Sequence, residues 1–376
     1  MKKLMFIAFL LVSALLTAPV ASASESGKDF DPKEIIFEHL GDRYGWEVPF
    51  CHDKTIHLPI IVFGSDGLHI FSSKRVLGGD KYVDGNATFF IPSEGDYKGK
   101  VVEELPDGTI NKPVNISITK NVLALFISVF ILLGIVFWLR NFYKRKGMKA
   151  PRRGLGAIEA LTVFIYDSVI KSTLKEKTKK FAPYLMTVFF LIFIMNLLGL
   201  IVVFPGGANL TGNIAVTLVL ALLTFFVTNI FATKHYWKDI FWPDVPIWLK
   251  FPIPIMQVIE VFGIFTKPAA LTVRLFANMM GGHMIVIVLT LLIFIFADMG
   301  TAVVGGTTVM SVLFSIFMLL IDVLVSFIQA YVFTMLSTIF ISLAQEEEKE
   351  HEEKNDNLII ENELSGKPVE VKAKTL

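Results

Sequence analysis

The chain has 376 residues, 53% of them hydrophobic, with 34 phenylalanines and only 18% charged residues. A soluble domain carries about 25% charge, so this composition excludes an ordinary soluble enzyme. The net charge of +1 identifies no partner by itself, and no nucleic acid is expected among the partners. Basic residues gather in particular loops and acidic ones in the tail.

Residues 1–24 read as a secretory signal. Lys2 and Lys3 precede an apolar run from Leu4 to Leu16, and Ala21-Ser22-Ala23 offers a small-residue cleavage site. The other reading is an uncleaved first span, for which the run is short. Cleavage places the next segment outside the cytoplasm. Residues 25–118 have soluble composition and predict a small extracytoplasmic domain of β content. Thr55 to Gly64 and Gly67 to Ser73 flank Ser65-Asp66-Gly67 as a hairpin, and Asn86 to Pro92 and Asn115 to Lys120 are further short strands. Cys51 is the sole cysteine, so no internal disulfide is possible and a packed thiol is expected. No catalytic constellation occurs there, and an assembly contact is expected.

Residues 119–344 read as a membrane domain. Val122–Leu139 is an uncharged run of 18 residues, enough to span a hydrocarbon core of about 30 Å. Arg140, Lys144, Arg145, Lys146, Lys149, Arg152 and Arg153 follow, which sets that loop inside. Leu155 to Ile170 is amphipathic and is expected to lie on the inner surface. Phe181–Phe204 crosses outward with Asn196 inside it, Pro205-Gly206-Gly207 turns, and Ile214–Thr233 returns to Lys234, His235 and Lys238. The Trp- and Pro-rich loop through Trp248 suits a membrane interface.

Two segments are unusually long. As single helices Pro254–Ala297 would measure about 66 Å and Thr307–Ala344 about 57 Å, so both are expected to tilt steeply or kink. The fold class is therefore an all-α polytopic membrane protein with about five spans, including two long tilted helices, and a small outer domain. Residues 345–376 form a charged cytoplasmic tail.

Glu260, Lys267, Arg274, His283, Asp322 and Gln329 lie in or near the apolar part of the two long segments. A charge at mid-bilayer costs at least about 3 kcal/mol on insertion scales, so it should face a partner or water. At 100° per residue, Glu260, Lys267, Arg274, Asn278 and Gly281 fall on one face, among the small Ala270 and Ala277. Small residues let another helix approach closely, and Arg274 in such a groove suits a partner helix carrying a negative group. His283, nine residues on, falls on the opposite face, towards another helix of the same chain. Thr308, Ser315, Asp322 and Gln329 recur every seven residues as a second stripe. With the two helices antiparallel, His283 lies about 13 Å outward of Arg274 and Asp322 about 10 Å outward of Gln329. Pairing Arg274 with Gln329 thus sets His283 level with Asp322. An imidazole beside a carboxylate is a proton relay, and the set predicts an ion path with Arg274 at its centre. Taken alone, a membrane His or Gln is more often glue between helices than a proton carrier, and Lys267 beside Pro268 reads as a snorkelling side chain.

Lys267-Pro268, with Leu271-Thr272-Val273-Arg274-Leu275-Phe276-Ala277-Asn278-Met279-Met280-Gly281-Gly282-His283, resembles the signature of subunit a of F-type ATP synthases. Gln329-Ala330-Tyr331-Val332-Phe333-Thr334 resembles that family's last-helix motif. The resemblance covers about residues 120–344, and more weakly His57-Leu58-Pro59. It implies a bacterial inner-membrane stator subunit, mature N-terminus out and C-terminus in, lying against a c-subunit rotor ring and joined to the b-subunit peripheral stalk and the rest of the synthase. It implies that Arg274 faces the rotor carboxylate with Gln329 near it. Glu260 and Asn278 would belong to the inner half-channel, and His283 and Asp322 to the outer one. Asn196 matches a polar position of the second span; Gly199 stands where some members carry an acid. The signal and the outer domain depart from the family's commoner short N-terminus. No cofactor is expected, and ATP chemistry would belong to other subunits, since no phosphate-binding G-x-x-x-x-G-K-[ST] occurs.

Three rivals make different demands. A secondary transporter using Arg274 for an anionic substrate should show an internal repeat, and none is seen. An intramembrane protease needs H-E-x-x-H or G-x-S-x-G, which are absent from the sequence. A pure scaffold does not explain a mid-bilayer arginine.

Overall fold

The computed structural model describes residues 41–47, 55–77, 80–85, 87–92, 95, 97–105, 107–147, 151, 154–201, 207–241, 255–296 and 301–345. The signal segment, Cys51, Pro205-Gly206, the loop from Trp242 to Trp248 and the tail from Glu346 lie outside the described residues. The chain forms two compact units: residues 1–130 with 197–210 and 281–322, and residues 131–196 with 211–280 and 323–376.

In the first unit, short strands build the outer domain: β1 (Gly45–Glu47), β2 (Thr55–His57), β3 (Pro59–Gly64), β4 (Gly67–Ser72), β5 (Tyr82–Asp84), β6 (Ala87–Phe90), β7 (Val102–Glu104), β8 (Ile110–Asn111) and β9 (Val114–Asn115). They pair as β1-β2, β4-β3-β9 and β5-β6-β7-β8. The period-2 pattern of β3 sends Ile60 and Val62 inward, where they meet Tyr44, Phe71, Val76, Ala87, Phe89 and Val101 in one core. The expected hairpin is present, with Gly64 opposite Gly67. Gly67 has φ +128°, which only glycine adopts at no steric cost.

Two expectations are corrected. The strand from Thr55 to Gly64 breaks at Leu58, because β2 pairs with β1 whereas β3 pairs with β4 and β9; the Leu58 N–H turns to Ser73 Oγ at 3.1 Å. The strand expected from Asn115 to Lys120 shrinks to Val114–Asn115. Beyond it Ile116 and Ile118 still donate to the Ile61 and Pro59 carbonyls, but Lys120 already opens a helix.

Glu103 is fully buried. Its carboxylate accepts from the Ser65 backbone N–H at 3.0 Å and from the Ser65 hydroxyl, which fixes the hairpin turn. Glu103→Leu leaves those donors unpaired, at about 1–3 kcal/mol. Amide hydrogen exchange across Ser65–Gly67 is expected to quicken about tenfold or more; unchanged exchange would contradict this role.

Helix α1 (Lys120–Lys146) grows directly out of the outer domain. The first four N–H groups of a helix lack intrahelical acceptors, and here each is satisfied. Lys120 N donates to Arg43 O (2.9 Å) and Leu123 N to Thr119 O (2.9 Å). Asn121 N donates to Asp42 Oδ1 (3.2 Å) and Val122 N to Thr119 Oγ1 (3.4 Å). The outer domain is thus the N-terminal cap of the first apolar helix.

The second unit is helical. After α1 come α2 (Gly154–Ile165), a π-turn over Tyr166–Lys171 and one α-turn over Ser172–Leu174. The axis is interrupted at Lys175, whose φ of +48° is the one positive value at a non-glycine among the described residues. The amphipathic stretch expected at the inner surface runs parallel to the last helix, α7 (Thr301–Ala344). Phe164 stacks on Tyr331, Thr173 O accepts from Ser342 Oγ, and Gln345 O accepts from Lys177 Nζ. α3 (Thr178–Leu200) and α4 (Ile214–Ile230) follow, the latter bending by 102° into α5 (Lys234–Phe241). α6 is Ile255–Ile295, unbroken at Pro268. α7 begins at Thr301, earlier than expected, and carries Gly305 and Gly306 inside it.

Lys120–Lys146, Gly154–Leu200, Gln257–Leu292 and Gly305–Ala344 are long and apolar enough to cross a membrane, and the bent α4–α5 pair makes a possible fifth. Phe126, Phe130, Phe137 and Trp138 are exposed along α1 alone. So much exposed apolar surface on helices marks a polytopic membrane protein.

Candidate functional site

Within the second unit, α6 divides by face. Leu271, Leu275 and Met279 are buried, whereas Ala270, Val273, Arg274, Ala277 and Asn278 are exposed. Spacing by three and four along a helix is what separates the two sets. Arg274 therefore points away from the packing of its own chain, and among the described residues no carboxylate pairs with it. Glu260 and Lys267 are half-buried on the same helix. Gln329 on α7 is buried, at 8% exposure.

Asn196 on α3 is fully occupied. Its Oδ1 accepts from Thr211 Oγ1 at 2.6 Å, and its Nδ2 donates to the Ser326 carbonyl of α7 at 3.5 Å. Both ends of a buried amide are satisfied by protein, which is how such a residue ties helices together in an apolar medium.

A small, largely apolar pocket of the same unit lies among α4, α5, α6 and α7. Thr224, Thr228, Asn229, Tyr236 and Lys267 face it together with Phe340. The Lys267 ammonium sits 5.5 Å from the Phe340 ring centre and 6.0 Å from that of Tyr236, within cation–π range. Sequence reasoning placed Lys267 at the interface but missed its companions. The signal was available in α4, where Thr217, Ala221, Thr224 and Thr228 form one buried face of small and hydroxylated residues.

Within the first unit, α6 and α7 meet closely. A Cβ on Gly282 would lie 2.7 Å from Asp322 Oδ1 and 3.2 Å from its Cγ. Only a glycine leaves room for that carboxylate, one residue before His283. His283 and Asp322 are both half-buried. The His283 Nε2 atom is buried and has no hydrogen-bond partner among the described residues.

The family model of the ATP synthase A chain matches residues 122–342. The chain belongs to that family. The match begins and ends within two residues of the stretch carrying the sequence resemblance. A domain of unknown function (DUF8433) matches residues 35–121, so the outer domain is a recurring module and not a stray extension. Among relatives, ATP synthase subunit a of Chlorobium phaeobacteroides (strain BS1) is 43% identical over 244 residues, covering 62% of this chain and 68% of that one. The subunit of Pelodictyon phaeoclathratiforme is 43% identical over 248 residues, with 64% and 69% covered. That of Myxococcus xanthus is 39% identical over 250 residues, with 64% and 77% covered. As an ATP synthase A chain, it carries Arg274 on an exposed helix face, and about two turns further along α6 Gly282 packs against Asp322 of α7.

Proposed function

We propose that this A chain is the proton-translocating stator subunit of an F-type ATP synthase. It sits in the bacterial inner membrane with the outer domain outside and the tail inside, and is held by the b-subunit stalk against a ring of c-subunit helices. The observation that carries this reading is Arg274: a guanidinium exposed on an apolar helix, flanked by Ala270 and Ala277, without an acid of its own chain among the described residues. A charge there needs a partner, and the small flanking residues make room for a helix that brings one.

A proton taken up from outside passes His283 and Asp322 and neutralises a rotor carboxylate, which can then face lipid. After nearly a full turn the carboxylate reaches the inner half-channel near Glu260 and Asn278 and releases its proton. Arg274 favours the ionised carboxylate by opposite charge and blocks a direct leak between the half-channels. Arg274 precedes Gly282 by eight residues and Gln329 follows Asp322 by seven, a match in spacing along the sequence that supports two layers of polar groups. The parallel course of the stretch from Phe164 to Lys177 beside α7 supports a steep tilt. If that stretch lies in the inner interface, the end of α7 lies close to the same plane. Each proton crossing 100 mV contributes about 2.3 kcal/mol to rotation.

The test is purification of the complex in mild detergent through a tag on this chain. Co-elution of a ring of c-type helices is expected; a chain that purifies alone and transports an anionic solute would overturn the reading.

A further inference from the structure

The β4-β3-β9 sheet of the outer domain has two apolar faces, and among the described residues only one of them is packed. Ile60, Val62 and Phe71 point into the core. Residues opposite one another on neighbouring strands project to the same side. The register therefore sets Val114, Phe63 and Leu68 in one row across the other face. Ile61 pairs with Ile70, and the Ile116 N–H donates to the Ile61 carbonyl at 2.9 Å, which continues the pairing into a second row. Phe63, Leu68, Ile70, Val114 and Ile116 are between 57% and 66% exposed. An antiparallel sheet with one face in water alternates apolar with polar residues; here the outward positions are apolar as well. Five such side chains leave on the order of 500 Å² of apolar surface in one place, more than the few hundred Å² usual for a soluble domain.

We infer that this face lies on the bilayer, against the leaflet that α1 enters, and that the outer domain is a lipid-docking platform built onto the first span. Three observations name lipid as the occupant. The sheet runs into α1 without a linker: the Ile118 N–H donates to the Pro59 carbonyl at 3.3 Å, and the Lys120 N–H, which opens the helix, to the Arg43 carbonyl at 2.9 Å. Lys120 sits at the edge of the hydrocarbon, since the chain from there to Arg140 rises about 30 Å, the thickness of that core. Val114, on the same continuous strand, is then held within about 20 Å of that edge at ~3.3 Å per residue. The face also continues a surface that already meets lipid, because Phe126 and Phe130 are exposed on α1. Finally, the exposed Lys112 just before Val114 and Lys120 just after Ile118 bracket the apolar run. Ammonium groups so placed reach phosphates while the side chains between them enter the interface. The inference rests on α1 being a membrane span and not on the proton path.

Photo-crosslinking of the full chain in native membranes gives the test. A benzoylphenylalanine replaces Phe63, and separately Ile116, while Val83 on β5 of the other sheet, equally exposed, is the reference position. After irradiation and purification, the mass of the modified peptide identifies what was captured. Phospholipid adducts at Phe63 and Ile116 are expected to exceed those at Val83 by about fivefold or more, as an apolar face seated in the interface requires. Adducts to another polypeptide, or to another segment of this chain, in their place would overturn the inference and assign the face to a protein contact. Equal lipid yields at all three positions, or none, would overturn it as well. Leu68→Asp combined with Ile70→Asp puts two charges on the face without touching the core residues behind it. The lipid adduct from Ile116 is then expected to fall about threefold or more, because a carboxylate resists leaving water; an unchanged yield contradicts lipid contact.

Discussion

Arg274→Ala is expected to abolish proton-driven ATP synthesis while leaving the chain folded in the membrane. The folding half of this expectation follows from the exposed position of Arg274 and from the burial of Leu271, Leu275 and Met279 on the other face of α6. Removing an exposed side chain that touches no acid among the described residues leaves no cavity and no unpaired charge there. The functional half follows from electrostatics. A unit charge about 4 Å from a carboxylate is worth roughly 4 kcal/mol at an effective dielectric constant of 20, close to a thousandfold in ionisation. Without it the rotor carboxylate keeps its proton and the half-channels are no longer separated. Arg274→Lys is expected to rescue little, because a compact ammonium cannot reproduce a planar, two-pronged donor. ATP synthesis driven by an imposed proton gradient is the readout, with the amount of chain in the membrane measured alongside.

The second large effect is expected from Gly282→Val. The Cβ of valine would fall 2.7 Å from Asp322 Oδ1, inside van der Waals contact, and its two methyl groups would widen the gap further. Because Asp322 Oδ1 is the terminal atom of a flexible side chain, the helices need not separate; the carboxylate is displaced instead. Proton flux through the outer path is therefore expected to drop at least tenfold while the complex still assembles. Wild-type flux in a Gly282→Val complex would show that the Asp322 carboxylate does not need its place against Gly282.

Much of the architecture was legible because the membrane imposes simple arithmetic. Runs such as Val122–Leu139 announce helices by length alone, and the heptad recurrence of Asp322 and Gln329 placed them on one stripe. Gly67 marked the hairpin turn by its chemistry. What stayed hidden depends on partners distant in sequence. β1, β5, β7 and β8 are two or three residues long, too short for any pattern, and exist because a neighbouring strand supplies their hydrogen bonds. Asn196 read as a polar position of the second span, and nothing local indicates that Thr211 and Ser326 occupy both ends of its amide. The course of the stretch from Phe164 to Lys177 along α7 is likewise a matter of tertiary contact.

The most direct test of a rotor-facing arginine is ATP-driven proton pumping by inverted membrane vesicles carrying the whole complex, parent against Arg274→Ala. No acidification is expected from the variant, although the complex is assembled and the chain is present at the parental level. Acidification at the parental rate would contradict the central role of Arg274.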